Sequence, residues 1–200
     1  MRWSARAGFG WFGKTLGGAF LFAVVAVSLA LVIRGERAAA SAEAAAPPQP
    51  GITMGKSGLP LPRFVSLKAG GRVNVRVGPG EGYDVAWIFV RPSLPVEVIQ
   101  EYDSWRRIRD SSGATGWVFH TLLTPKRTAV VAPWSGESSA ALPIRANADQ
   151  AASVTAYLQP GVQASVDTCR GGWCDLSGKG FAGWIEQSQL WGVYANEAVD

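Results

Sequence analysis

Histidine is nearly missing from this 200-residue chain, which has one, and cysteine and methionine occur twice each. A single histidine gives no route to a multi-imidazole metal centre. Any Ser-His-Asp or Cys-His site would have to recruit His120, and no nucleophile motif accompanies it. Two thiols would need two further ligands to hold a metal, and the histidine lies in a different part of the chain from them. Charged residues make up only 17% of the sequence, and its acids are scattered through turn-like segments, so nothing selects a carboxylate pair for glycoside cleavage. Gly51, Gly55, Lys56 and Ser57 resemble a phosphate-binding loop, but three residues separate the glycines where the pattern needs four, and no strand precedes them. These absences predict a protein that is not an enzyme and has no cofactor and no metal.

One long hydrophobic run is present. Arg2, Arg6 and Lys14 precede Thr15–Ile33, nineteen residues without a charge, so residues 1–37 read as an export signal. The run suffices to span a bilayer, while Ala40-Ser41-Ala42 is a fair cleavage site, which leaves two readings open: an uncleaved inner-membrane anchor or a removed signal peptide. With the basic residues N-terminal, both place the remainder across the membrane, in a periplasmic or other extracytoplasmic space. Of 19 Lys and Arg, five lie before residue 38, leaving 14, and of 15 Asp and Glu one lies there, leaving 14. The exported part is therefore neutral, and nucleic acid is not expected as a partner. Within it, residues 63–127 carry ten basic and six acidic groups, and 128–200 carry three and seven. That asymmetry is either ordinary surface variation or a pair of opposite fields that helps two domains dock.

Residues 38–62, rich in Ala and then Pro and Gly, show no hydrophobic periodicity and read as a disordered linker. Beyond them the chain repeats itself. Arg76, Trp105, Trp117 and Leu123 recur as Arg145, Trp173, Trp184 and Leu190, at intervals of 29, 12 and 6 residues against 28, 11 and 6. The spacing implies a duplicated unit of about 60 residues. Each unit is a series of short β-branched and aromatic runs between turn residues. In the first, Val73, Val75 and Val77 alternate with Asn74 and Arg76, and Val96–Ile99, Trp105–Arg109 and Gly116–Phe119 follow. The second reads likewise through Leu142–Arg145, Val154–Leu158, Val162–Val166, Trp173–Leu176 and Gly183–Ile185. The fold class is all-β, two tandem units at 63–127 and 128–194, each a small β-barrel or a two-layer β-domain, followed by a tail at 195–200.

At Val73-Asn74-Val75-Arg76-Val77-Gly78-Pro79, Trp105, Gly116-Trp117-Val118 and Leu122-Leu123 the chain resembles the bacterial SH3-like (SH3b) domain family. The duplicated arrangement over residues 64–194 is similar to an exported subfamily of it. The second copy departs from the pattern, since Pro143-Ile144-Arg145 lacks the Gly-Pro that should follow. The resemblance implies a strongly bent small barrel that works as a non-enzymatic interaction module of the cell envelope, with peptidoglycan peptides or an envelope protein as partner. A structural or assembly role, or service as a trans-acting accessory to a cell-wall hydrolase, is the alternative.

Candidate residues follow from type and place. Cys169 and Cys174 flank a glycine-containing turn and are expected to face each other across a hairpin as a structural disulfide. Trp117 and Trp184 are expected to fill the barrel cores, as the largest apolar side chains available. Tyr83, Trp87 and Trp105 are the aromatic candidates for a ligand-binding surface, and Arg106 and Arg107 the candidates for recognising carboxylates. With its glycine-rich loop and positive charge, the first copy is the expected binder.

Overall fold

Val73 and Val75 are buried and Asn74 between them is exposed. The same two-residue alternation organises the whole folded part in the computed structural model, which describes residues 51–68, 70–135 and 139–200. The signal or anchor at 1–37, with its hydrophobic run, and linker residues 38–50 lie outside the described residues.

A short hairpin of Thr53–Met54 (β1) and Pro60–Leu61 (β2) comes first. A seven-stranded antiparallel sheet follows, made of Arg63–Leu67 (β3), Val73–Arg76 (β4), Val85–Phe89 (β5), Pro95–Tyr102 (β6), Trp105–Arg109 (β7), Thr115–Phe119 (β8) and Leu123–Thr124 (β9). The second sheet repeats it with Thr128–Val131 (β10), Leu142–Arg145 (β11), Val154–Leu158 (β12), Gln163–Arg170 (β13), Trp173–Gly178 (β14), Phe181–Glu186 (β15) and Leu190–Trp191 (β16). The two strand orders, β5-β4-β8-β7-β6-β3-β9 and β12-β11-β15-β14-β13-β10-β16, are identical once the repeat offset is removed. Within each copy a short 3-10 turn, His120–Leu122 or Gln187–Gln189, precedes the last strand.

Each sheet curls around its own core. Leu67, Val75, Val96, Val98, Ile108 and Val118 come from five strands of the first sheet and enclose one apolar cluster. Ala129, Ile144, Val166, Leu176 and Ile185 do the same in the second. The duplicated residues occupy matching places in the pairing, since Arg76 stands opposite Trp117 and Arg145 opposite Trp184. Both copies bulge just before that arginine, and again in β6 and β13. Bulges of this kind sharpen the bend a small curled sheet needs.

Three sequence expectations are revised. Residues 51–62, read as part of a disordered linker, instead form the β1–β2 hairpin on the first barrel. Their strands are two residues long, too short for periodicity to show, and the tie that holds them is long-range: Ser57 donates from its backbone N and its hydroxyl to Glu101, at 2.8 and 2.7 Å. The residues that imitated a phosphate loop thus cradle a carboxylate of the same chain. Trp117 does not fill the first core: Val118 takes the inward position and Trp117 stays half-buried on the other face of β8. Trp184 is buried, but beneath Arg170 and not in the apolar cluster, where Ile185 takes the inward position. The first loop of the second copy keeps its form without Gly-Pro: Arg76 Nη1 donates to the Tyr83 carbonyl at 2.6 Å, and Arg145 Nη1 to that of Ala152 at 2.8 Å.

The two barrels pack on each other. Phe64 meets Trp191 edge-on, with ring centroids 5.0 Å apart, and Tyr194 at 4.7 Å. Tyr194 Oη donates to Glu97 Oε1 at 2.9 Å, and Trp191 Nε1 to the Pro95 carbonyl at 3.2 Å. Thr128 Oγ1 and Gln163 Nε2 both donate to the Ser93 carbonyl, each at 2.8 Å. Gly192 lies in this seam with φ of 125°, where a Cβ would stand 2.3 Å from the Thr128 carbonyl oxygen. Burial, the charge of Glu97 and the hydrogen bond to it push the Tyr194 hydroxyl well above its usual pKa, so it remains a donor. Among the described residues no ion pair joins a strand of one sheet to a strand of the other. Docking therefore rests chiefly on aromatic packing and hydrogen bonds, of which the one to Glu97 is charge-assisted. The one ion pair among the described residues that links the two charge segments is that of Arg127, just after β9, with Glu197.

Candidate functional site

Directly opposed residues of an antiparallel pair share a face, so the register defines what each barrel presents outward. On the first barrel, Tyr102 stands opposite Trp105 and Trp105 opposite Phe119, an aromatic row across β6, β7 and β8. The next row runs Gln100, Arg107, Trp117, Arg76. Arg109 follows, opposite Glu97 and Thr115. Trp105 and Phe119 meet edge to face at 5.5 Å, and His120 lies tilted against Phe119 at 5.1 Å. The acid on this face, Glu97, is buried and already held by Arg109 and Tyr194. The result is an aromatic surface edged with guanidinium groups.

Of the residues singled out from sequence, Trp105 and Arg107 lie on this face, and Arg107 Nη2 donates to Thr115 Oγ1 at 3.2 Å. Tyr83 is half exposed, its ring lying over Gly78 and Gly80 in the adjoining loop. Arg106 is not available to a ligand. It points to the other side of β7, where its guanidinium pairs with Glu101 at 3.2 Å and donates to the carbonyls of Asp103 and Trp105. Trp87 is half-buried on another face, packing against the first core and edge-on to Phe89. Gly116 leaves room for it, since a Cβ there would stand 3.0 Å from the end of the indole. Alternation separates both from Trp105 and Arg107, a distinction residue type alone does not make.

Glu101 anchors this region from the inside. Burial raises its pKa, but the two hydrogen bonds from Ser57 and the guanidinium groups of Arg63 and Arg106 outweigh that and hold it at about 2. Its side chain is 2% exposed.

The second barrel presents a different surface at the same positions. Arg170, Trp173 and Glu186 replace Tyr102, Trp105 and Phe119, and Asp175 replaces Arg107 beside Trp184. Arg170 covers the Trp184 ring at 4.8 Å. Burial and nearby Asp167 raise the pKa of Asp175, partly offset by Arg170. Here the sequence reading missed a feature. Two depressions adjoin at Trp173: one of about 130 Å³ reaching Arg145 and Leu142, and one of about 330 Å³ reaching Gly171, Gly172 and Asn196. Trp173 was visible as a repeat residue, but the walls come from the 3-10 turn and the C-terminal loop, which no local pattern brings together. Cys169 and Cys174 are joined as expected, directly opposed with Cα atoms 4.1 Å apart. A disulfide is consistent with an extracytoplasmic location. Among the described residues there is no cluster of metal-ligating side chains.

Two curled sheets of the same strand order, each with an Arg opposite the Gly-Trp tryptophan, define an SH3-like tandem. A family model described as bacterial SH3 domain matches residues 69–125 and 138–192, more than half of the chain, and the chain belongs to that family. No curated protein matches it. Among solved structures, NlpC2 from Trichomonas vaginalis aligns at 12% identity with a TM-score of 0.28, over 65% of this chain and 48% of that one. NlpC1 from the same organism aligns at 11% with a TM-score of 0.29, over 70% and 48%. The chain spans about half the length of these structures, and likeness at that level carries no weight for function.

Proposed function

We propose that the protein is a non-enzymatic binding module of the cell envelope, its folded part held across the inner membrane by residues 15–33 or released there after cleavage. The observation that carries this reading is the outer face of the first barrel. Tyr102, Trp105, Phe119 and Trp117 lie beside Arg76 and Arg107, while a complete core exists without them. Aromatic faces with flanking guanidinium groups suit an extended ligand that carries carboxylates, such as a peptidoglycan stem peptide or an acidic segment of an envelope protein. The single histidine, the locked disulfide and the scattered acids fit a protein that binds without turning its ligand over. Pull-down of the full-length chain on purified peptidoglycan tests the reading: retention is expected, and Trp105→Ala and Arg107→Ala are expected to weaken it. Retention that survives both substitutions removes this face from the site, and absence of retention points to a protein partner. Zymography on cell walls is expected to be blank.

A further inference from the structure

We propose that the second barrel carries a binding site of its own, a groove beside Trp173 that takes a peptide bearing a primary amine, with the ammonium on Glu186 and the adjoining carbon chain on the indole. The two depressions of this barrel share Trp173, Glu186 and Gln150, so they are two halves of one groove. The Gln150–Glu186 hydrogen bond forms a bar between them. The larger half, about 330 Å³, reaches the size at which small-ligand pockets begin, roughly 300 Å³.

Glu186 identifies the ligand's charge. Its carboxylate accepts from Gln150 Nε2 and from Ser188 Oγ, and among the described residues it forms no ion pair. The fold does not require it. The first barrel places Phe119 opposite Trp105, where the second places Glu186 opposite Trp173, and the strand pairing is the same. A carboxylate that the scaffold can replace with a phenyl ring, set against an indole in a concave surface, is a place for a cation. An ammonium on a carbon chain meets both groups at once, since the indole face attracts the cation and shields its methylenes. Gln150 and Asn196, which both line the larger half, have amide side chains that can supply donors and acceptors for peptide groups. Binding exchanges the neutral Gln150 donor for a charged one, and charge-assisted hydrogen bonds are the stronger.

The site is separate from the outer face of the first barrel and is tested separately. The probes are N-acetyl-alanyl-lysine amide, alanyl-alanine amide and the fully blocked N-acetyl-alanyl-alanine amide. The readout is the Trp173 indole N–H resonance of the ¹⁵N-labelled full-length chain, assigned with Trp173→Phe. A shift at concentrations on the order of millimolar is expected from an amine-bearing peptide. The lysine peptide acting alone assigns a side-chain amine, and alanyl-alanine amide acting alone assigns an amino terminus. The blocked peptide is expected to bind at least about tenfold more weakly. Glu186→Gln and Glu186→Phe are expected to reduce amine binding about tenfold or more with circular dichroism and melting temperature unchanged, the phenylalanine variant being the first barrel's own solution. Equal binding of the blocked peptide, unchanged affinity in Glu186→Gln, no shift with any probe, or loss of the shift in Trp105→Ala would each overturn the assignment. Peptidoglycan retention through Trp105 can stand when this groove fails, and the reverse.

Discussion

The two barrels meet the same problem, a long hairpin whose far end projects beyond the core, and solve it with different chemistry. In the first, Glu101 stands opposite Arg106; in the second, Cys169 stands opposite Cys174, the matching pair of the repeat. An ion pair has become a covalent bond. Each end is then covered by a terminal segment of the fold. The β1–β2 hairpin closes on Glu101 through Ser57, and the C-terminal segment pairs with Cys169 through two backbone hydrogen bonds of Val199, 2.8 and 3.2 Å. The residues taken for a tail are thus part of the second barrel, tied further by Arg127 to Glu197 at 2.7 Å. The difference teaches that the repeat preserves positions and not interactions. What sits at a given register can be ionic, covalent or aromatic, provided the strand ends are held.

The largest expected effect tests what joins the copies. Phe64→Ala removes the ring packed between Trp191 and Tyr194, and its loss is expected to cost about 3 to 4 kcal/mol in thermal or urea unfolding. Because the seam is aromatic and its hydrogen bonds mostly neutral, the scattering envelope of the wild-type chain is expected to be unchanged from low to high salt. Loosening on addition of salt would restore electrostatic docking as the explanation.

Glu101→Gln comes next, at about 2 to 3 kcal/mol, because it leaves Arg63 and Arg106 without their shared carboxylate while both remain partly open to water. The pH dependence has a definite sign. The folded pKa of Glu101, about 2, lies below its ordinary 4.5. Its stabilisation is therefore complete above 4.5, declines as the pH falls, and is gone once the pH passes below about 2. In acid the Glu101→Gln variant and the wild type are expected to converge in melting temperature. A constant gap across that window would show that Glu101 is not the group that titrates.

The second barrel's brace does not respond to acid. Replacing Cys169 and Cys174 with serine is expected to cost about 2 kcal/mol on the chain-entropy account of a six-residue loop, at every pH. It is also expected to raise hydrogen exchange at Val199 while leaving Ser57 protected. Exchange at Ser57 rising to the same degree would mean that the two hairpin ends are not independent.

The duplication was legible because strand pairing depends on spacing. The Arg and Trp intervals correspond to a real cross-strand contact, Arg76 with Trp117 and Arg145 with Trp184. The cysteine pair was legible for the same reason. Which face a tryptophan takes was harder to read: size and hydrophobicity argued that Trp117 and Trp184 fill the core, but the register had already given the inward positions to Val118 and Ile185, so Trp117 is only half-buried and Trp184 owes its burial to Arg170 lying over it. Arg106 was misplaced by the same slip of one residue, which carries a side chain to the other face. The hairpin at 53–61 and the groove at Trp173 depend on contacts distant in sequence, Ser57 with Glu101 and Gln150 with Glu186, and no local pattern signals them.

The smallest effect concerns the glycine loop that made the first copy look like the binder. A Cβ on Gly78 would stand 2.4 Å from the Tyr83 ring, and one on Gly80 3.3 Å from it. These glycines are there because the tyrosine lies across them. At the matching places the second copy has Asn147, Asp149 and Ala152, yet the loop keeps its backbone hydrogen bonds: Tyr83 N–H to the Gly80 carbonyl becomes Ala152 N–H to that of Asp149, at 3.3 and 3.1 Å. Glycine and tyrosine therefore disappear together, and the loop conformation depends on neither. Gly78→Ala is expected to cost about 1 kcal/mol, since the exposed ring can swing partly clear. Tyr83→Ala alone is expected to cost less, and the double variant to be no worse than Tyr83→Ala, so a double-mutant cycle should return a coupling close to the whole cost of Gly78→Ala. Additive losses would mean that Gly78 is needed by the backbone itself, and that the loops of the two barrels are held by different means after all.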